Sequence, residues 1–274
     1  MSDHNENKIQ ITLLALLPPL VLLGAETALF LLPPDDSQAL ASFIAYFAFA
    51  VLCCQLVTHV VFSKGEICNG QRSRLVRANL FLLLYWIGLF LLGALAQKRY
   101  VPLALLIGAA ILLLVTVWQQ PKDDERLRRG ILLFGTICGG LGVLCYLAIL
   151  WNLPRQDWFA YSPFSQLLLG LVLSAWQLRL SRNRLQGFIA LLPRLMLLSL
   201  LLNALYSVVV LLLLHWNLTL LPLSTGAFAG YFALHLLLAA LLFWLISSRK
   251  TLDLAWLSLL LLLSMGLPFL LIYL

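Results

Sequence analysis

Apolar runs long enough to cross a lipid bilayer recur along almost the whole of this 274-residue chain. A spanning helix needs about 20 mostly apolar residues, and nine segments fit: 9–32, 39–63, 78–96, 101–119, 130–151, 164–180, 189–216, 227–247 and 254–274. The short connections contain Pro, Gly, Asp or clustered charge, which are typical of turns. The pattern predicts an all-α bundle of about nine transmembrane helices, with residues 1–8 as a short cytoplasmic N-terminus and 9–274 as one membrane domain.

Composition excludes a water-soluble fold. The chain is 62% hydrophobic and 11% charged, whereas soluble domains contain about 25% charged residues. A soluble protein of this composition would expose large apolar patches. The net charge of +7 does not indicate a nucleic-acid partner, because the basic residues lie in short clusters between apolar runs, where they set membrane orientation. The predicted partner is the lipid bilayer.

The distribution of Lys and Arg predicts the orientation of the chain. With the N-terminus inside, 15 of the 18 basic residues fall on the inner side: Lys8, Lys64, Arg72, Arg74, Arg77, Lys122, Arg126, Arg128, Arg129, Arg179, Arg182, Arg184, Arg194, Arg249 and Lys250. The outer side has Lys98, Arg99 and Arg155. This bias predicts an inside N-terminus and an outside C-terminus. The outer turn Gln97–Tyr100 fits least, since it carries two positive charges. Short loops and the charge bias favour a bacterial inner membrane.

Glu26 is the acidic side chain that a bilayer should tolerate least. It lies in an apolar run with no basic residue nearby, and an ionisable group in hydrocarbon costs about 2.5–3.5 kcal/mol. Pro18 and Pro19, earlier in the same run, predict a kink. A kinked helix followed by a buried acid is a pattern that transport proteins use. Glu26 is therefore predicted to bind substrate or a proton; the alternative is a neutral carboxyl that hydrogen-bonds a neighbouring helix.

Two later spans carry polar residues at the predicted depth of Glu26. His235 lies roughly 11 Å below the predicted outer surface at 1.5 Å per residue, and Tyr231 is one turn earlier on the same face. Asn203 and Tyr206 belong to a polar stripe on the preceding span. Together with Glu26 these four residues are predicted to line a substrate- or proton-binding pocket in the outer half of the bilayer. The alternative is interhelical hydrogen bonding without a ligand.

A second group of polar residues lies toward the predicted inner face. Gln55 and His59 share one face of the second span, and Arg179 and Arg194 lie at the inner ends of the sixth and seventh. These four residues predict a site for an anionic headgroup or substrate. The alternative is that the arginines extend to the interface to keep their charge in water.

The sequence contains no motif that assigns a reaction. HExxH, GxSxG, a Walker sequence and Cys/His metal spacings do not occur, so no catalytic residue, metal or cofactor is predicted. Gly135 and Gly139 form a GxxxG arrangement, which lets helices approach closely. That face is predicted to pack within the bundle, or to contact a second copy or a membrane protein partner.

Three classes of function remain open. The first is a transporter or permease with its pocket centred on Glu26. The second is a non-catalytic membrane subunit or an assembly factor of a larger inner-membrane complex. The third, disfavoured by the lack of motifs, is a membrane-embedded enzyme acting on lipid-linked substrates. The small number of intramembrane charges argues against a transporter coupled to several ions.

Overall fold

The computed structural model describes residues 2–31, 45–65, 67–95, 101–121, 124–182, 185–216, 225–248, 250 and 252–272. Within these residues the helices are α1 (Ser2–Leu31), α2 (Ala48–Lys64), α3 (Asn69–Leu80), α4 (Leu82–Leu95), α5 (Val101–Trp118), α6 (Glu125–Asn152), α7 (Pro163–Leu180), α8 (Gln186–Trp216), α9 (Thr225–Ser247) and α10 (Leu254–Ile272). A short 3-10 helix, Arg155–Trp158, lies between α6 and α7. The all-helical membrane fold predicted from the sequence is confirmed.

The described helices overlap every predicted span, since α3 and α4 are separated only by Phe81 and form one apolar segment, Asn69–Leu95. Six segments are long and apolar enough to cross a membrane: Ile9–Leu31, Asn69–Leu95, Val101–Trp118, Glu125–Asn152, Gly187–His215 and Gly226–Ser247. Two apolar helices, α2 and α10, are shorter. Nine crossings and the orientation of the termini stay predictions. The turn Gln97–Tyr100 lies outside the described residues.

Helices α2 and α7 form the centre of the bundle. Most residues of both are buried. They approach closely at Gly170, where an added Cβ would lie 2.6 Å from the Cβ of Cys53 and 2.7 Å from the carbonyl oxygen of Ala50. Next to this contact the Gln166 side chain of α7 accepts a hydrogen bond from the Ala50 backbone N–H at 3.2 Å. The small residues of both helices thus permit the approach that places α2 in the core.

The start of α2 differs from the prediction. The apolar run 39–63 was predicted to be one helix, but Ala45, Tyr46 and Phe47 are not helical and α2 begins at Ala48. Ala45 has a positive φ of 62°, which places it in the left-handed region that non-glycine residues enter rarely. Hydropathy could not reveal this start, because the residues on both sides of it are equally apolar.

Pro18 of α1 frees a backbone carbonyl that forms a contact with α7. Helix α1 continues through Pro18 and Pro19, but proline has no N–H, so the carbonyl four residues before it loses its helical donor. For Pro18 that carbonyl belongs to Leu14, and the indole Nε1 of Trp176 in α7 donates to it at 2.9 Å. The backbone group freed by Pro18 therefore joins α1 to the central helix.

The Gly135/Gly139 face of α6 packs inside the chain. A Cβ at Gly135 would meet Thr116 of α5 and would lie 2.7 Å from the His59 ring of α2. A Cβ at Gly139 would meet Leu56 of α2. The glycines bring α6 against α2 and α5, so this face is occupied by the protein's own helices.

Candidate functional site

The carboxyl of Glu26 is buried and holds the start of α2. Its Oε2 accepts the backbone N–H of Tyr46 at 3.0 Å, and its Oε1 accepts that of Phe47 at 2.6 Å. The phenol of Tyr85 in α4 donates to Oε1 at 2.8 Å. N–H groups at the start of a helix have no partner within the helix. Here the N–H groups of the two residues just before α2 find their acceptor in an acid from another helix. Glu26 thereby joins α1, α2 and α4.

Three of the four other predicted outer residues lie in one hydrogen-bonded cluster. The Asn203 amide of α8 donates to the Tyr231 hydroxyl at 3.0 Å and bonds the Nε2 atom of His235 at 2.7 Å. The Asn203 carbonyl oxygen accepts from the Ser162 hydroxyl at 2.5 Å. Ser207 bonds the Tyr231 hydroxyl at 3.0 Å. The cluster fastens α8 to α9 and to the residue that precedes α7.

The cluster fixes the tautomer of His235. Its Nδ1 lies 3.1 Å from the carbonyl oxygen of Tyr231, which can only accept, so Nδ1 carries the hydrogen. With the Asn203 oxygen turned to Ser162, the amide nitrogen faces Nε2, so Nε2 accepts. A neutral His235 therefore satisfies every contact in the cluster.

Tyr206 has different partners from the rest of its predicted group. Its hydroxyl donates to the Trp158 carbonyl at 3.2 Å, and its ring packs edge-on against Phe164. Tyr206 thus holds the segment before α7 against α8. The Asp157 carboxyl in the same segment is partly buried, and this burial raises its pKa above the usual range.

The structure brings together Asn203, Tyr231 and His235, but no hydrogen bond or ion pair between described residues links them to Glu26. The partners of Glu26 come from α4 and from the two residues just before α2, whereas those of Asn203 come from α9 and the segment before α7. A ligand-binding role for these residues stays a prediction.

The predicted inner group also separates into two parts. Gln55 and His59 are buried and face the bundle interior. The His59 Nε2 lies 2.9 Å from the Leu132 carbonyl oxygen of α6 and 3.1 Å from the Thr136 hydroxyl. Neither amide atom of Gln55 has a hydrogen-bond partner among the described residues. Arg179 and Arg194, in contrast, are exposed and line one cavity.

That cavity is large enough to hold a ligand. Its volume is about 1180 Å³, above the roughly 300–1,000 Å³ of ordinary ligand pockets. Apolar side chains from α1, α7, α8, the end of α9 and the start of α10 form most of its wall. Its charged groups are all cationic: Arg179, Arg182, Arg194 and Lys250. We refer to it as the inner cavity, since all four belong to the basic residues assigned to the inner side.

None of the four cations forms an ion pair with an acid among the described residues. The ion pairs among described residues join Arg128 and Arg129 to Glu125 in α6. Lys250 rests on the ring of Trp244, with its Nζ 4.2 Å from the ring centroid. Because like charges repel and no described acid lines the wall, the cavity favours an anion.

Arg182 is held in an unusual backbone conformation at the rim of the inner cavity. Its φ is 51°, and a left-handed residue with a Cβ costs roughly 1–2 kcal/mol. Two side chains of α3 fix this turn: Gln71 donates to the Arg182 carbonyl at 3.0 Å, and Arg74 donates to that of Ser181 at 3.1 Å. Helix α3 thus fixes the backbone that carries one of the four charges.

Sequence reasoning grouped Arg179 with Arg194 but missed Arg182 and Lys250 as members of the same site. Both had been assigned to the inner side only as orientation signals. A repeated Arg at i and i+3 around the end of a span is the one sequence signal for Arg182. No sequence signal places Lys250 in the same cavity as the end of α7, because tertiary packing determines which elements line a cavity.

Comparison with known proteins establishes the family. Residues 4–273 match a family model described as an integral membrane domain. The chain belongs to this family of integral membrane proteins. An uncharacterized protein of Haemophilus influenzae is 35% identical over 268 residues, which is 98% of each chain. No solved structure matches. The multi-pass membrane assignment is thereby confirmed along nearly the whole chain, and the family description specifies no substrate or reaction.

Proposed function

We propose that this protein is a permease-like carrier that binds an anionic amphiphile in the inner cavity and exchanges it with the adjoining leaflet. The observation that carries the proposal is a large cavity with a mostly apolar wall, on which the charged groups among the described residues are four cations and no acid. Charged headgroups suit the cations, and hydrocarbon chains suit the apolar wall. The substrate site of this proposal is therefore the inner cavity rather than the surroundings of Glu26.

The position of the inner cavity between α1 and the later helices supports exchange of the amphiphile with the leaflet. Helix α1 packs mainly against α3, α4 and α7, and the Trp176–Leu14 hydrogen bond fastens it to α7. Its residues Gln10 and Ile11 face α8, α9 and α10 across the inner cavity. An amphiphile that enters between α1 and α8 keeps its chain among apolar side chains while its headgroup reaches the arginines.

The wall of the inner cavity favours binding and transport over covalent chemistry. Among the described residues that line it there is no Asp, Glu, His, Cys, Ser, Thr or Tyr. Together with Lys, these are the residue types that most often act as general acid, general base or nucleophile, and Lys250, the one lysine on the described wall, rests on the ring of Trp244. Gln10 and the four cations can bind and orient a headgroup, and that is the chemistry this wall supplies.

The test is lipid binding and lipid exchange by the purified full-length chain. Binding of phosphatidylglycerol and phosphatidylcholine is measured by native mass spectrometry, and exchange is measured with fluorescent lipids in proteoliposomes. Arg179→Gln and Arg194→Gln should each weaken phosphatidylglycerol binding by about tenfold, because a hydrogen bond to a charged group contributes about 1.5–3 kcal/mol. Arg77→Gln is the matched control, since Arg77 is exposed on α3 and lies outside the inner cavity.

Equal binding of the anionic and zwitterionic lipids would contradict the proposal. So would a loss of binding in Arg77→Gln as large as that in Arg194→Gln, because the effect would then come from net charge and not from the cavity.

A further inference from the structure

Arg182 differs from the other three cations of the inner cavity in how its position is fixed. Arg179 and Arg194 extend from the ordinary helical backbone of α7 and α8. Arg182 follows the end of α7 in the left-handed region, and its own N–H donates to the Arg179 carbonyl at 3.0 Å. That arrangement ends a helix, and glycine is the residue usually found there. Arg182 therefore places a long charged side chain at a backbone position that favours glycine, which has no side chain.

The turn at Arg182 is held from outside α7 as well. Gln71 is buried, and its two amide atoms have separate tasks. Its oxygen accepts the Cys68 N–H at 3.3 Å at the start of α3, and its nitrogen donates to the Arg182 carbonyl. Since Arg74 donates to the preceding carbonyl, α3 fixes two consecutive peptide groups. The direction in which the Arg182 side chain leaves the backbone is thereby set before any ligand binds.

Charge indicates the kind of headgroup. Four cations and no acid line one cavity among the described residues, so an anion with a single charge would leave most of this positive charge unbalanced. A phosphomonoester carries about 1.5–2 negative charges at neutral pH, and a diphosphate carries more. Arginine also matches the oxygens of a phosphate in a two-pronged arrangement, and three of the four cations are arginines.

We infer that the inner cavity binds a lipid whose headgroup ends in a phosphomonoester or a diphosphate, and that Arg182, fixed by Gln71 and Arg74, binds this terminal phosphate. The inference rests on the proposed function and names its substrate class. It accounts for an arginine retained in a backbone conformation that favours glycine. It also assigns a role to the polar side chains of α3, which lie beside the inner cavity without lining it.

The test compares three probes with the full-length chain in detergent. Phosphatidic acid supplies a lipid phosphomonoester, phosphatidylglycerol a lipid phosphodiester, and glycerol 3-phosphate a soluble phosphomonoester. Phosphatidic acid should bind at least tenfold more tightly than either of the others. Arg182→Gly and Arg182→Asn both suit the left-handed backbone, so each should keep or raise the unfolding temperature. Each should reduce phosphatidic acid binding to the level of phosphatidylglycerol.

The results distinguish a failure of this inference from a failure of the proposed function on which it rests. If Arg182→Gly keeps the preference for phosphatidic acid while Arg194→Gln abolishes binding, the role of Arg182 is overturned and the lipid-binding function stands. If the wild type binds phosphatidylglycerol and phosphatidic acid equally, the phosphomonoester assignment is overturned. If glycerol 3-phosphate binds as tightly as phosphatidic acid, the ligand is a soluble phosphate and the lipid assignment is overturned. If no anionic probe exceeds phosphatidylcholine, the proposed function fails as well.

Discussion

The start of α2 and the inner cavity treat polar groups in opposite ways. At the start of α2, the buried carboxyl of Glu26 is matched by three donors from the protein itself. In the inner cavity, four cations face a common space, and none of them has an acidic partner among the residues that the structure describes. A polar group whose bonds are all made within the chain holds helices together, whereas charges left unpaired at a cavity are available to a ligand. Polarity within a membrane protein therefore indicates function only once its partners are known.

Removal of the Glu26 carboxyl should give the largest change in stability. Glu26→Leu leaves the N–H groups of Tyr46 and Phe47 and the hydroxyl of Tyr85 without their acceptor. Since each buried unsatisfied group costs about 1–3 kcal/mol, we expect a loss of about 3 kcal/mol or more. Thermal unfolding in detergent measures it. A wild-type unfolding temperature in Glu26→Leu would show that this junction does not hold α2.

A methyl group added between α6 and α2 should give the next largest effect. In Gly135→Ala the new Cβ would meet Thr116 and the His59 ring, and overpacking costs about 1–3 kcal/mol. Gly140→Ala is the matched control on the same helix, because nothing lies within 4 Å of its added Cβ. The control should be neutral or slightly stabilising, since Ala favours helix over Gly. Equal unfolding temperatures for the two variants would refute the close contact.

Loss of one donor to Glu26 should have a smaller effect. Tyr85→Phe removes the phenol hydroxyl from Oε1 but leaves both backbone donors in place. A single hydrogen bond contributes about 0.5–1.5 kcal/mol, so we expect a loss of about 1 kcal/mol in the same unfolding assay. A loss as large as that of Glu26→Leu would mean that the aromatic ring, not the acid, organises the junction.

Neutralisation of the cavity cations should have the smallest effect on stability. Arg179→Gln and Arg194→Gln remove side chains that have no ion pair within the described residues, and exposed substitutions of this kind usually change stability by less than about 0.5 kcal/mol. The unfolding temperature should therefore stay at the wild-type value while lipid binding falls. A large destabilisation by either variant would make these arginines structural, as Glu26 is.

The sequence was sufficient to predict the helical segments but not to predict which helices are neighbours. Length and hydropathy located each apolar segment, because a bilayer requires about 20 apolar residues for each crossing. Depth along a helix could also be predicted, and the prediction that Glu26 and His235 share one layer stays a prediction. Depth could not show that the partners of Glu26 are Tyr46, Phe47 and Tyr85. Every helix of a bundle has residues at a given depth, so depth does not show which helices are neighbours.

The same limit explains what was found and missed at the inner cavity. Arg179 and Arg194 were grouped from their positions near the inner ends of consecutive spans, and such spans commonly pack together. Arg182 required knowledge of a backbone conformation that α3 stabilises through Gln71 and Arg74. Lys250 required knowledge that the residues after α9 line the same cavity as α7 and α1. Both depend on contacts between distant parts of the chain.

A direct comparison of Glu26→Gln and Arg194→Gln tests the central claim, that the inner cavity and not Glu26 is the substrate site. Binding and exchange of the anionic lipid are measured for both variants in the same proteoliposomes, and each value is normalised to the amount of folded protein. The account predicts that Glu26→Gln lowers the unfolding temperature but keeps wild-type exchange per folded molecule, whereas Arg194→Gln keeps the unfolding temperature and loses about tenfold in binding. Loss of exchange in folded Glu26→Gln together with wild-type binding and exchange in Arg194→Gln would contradict it.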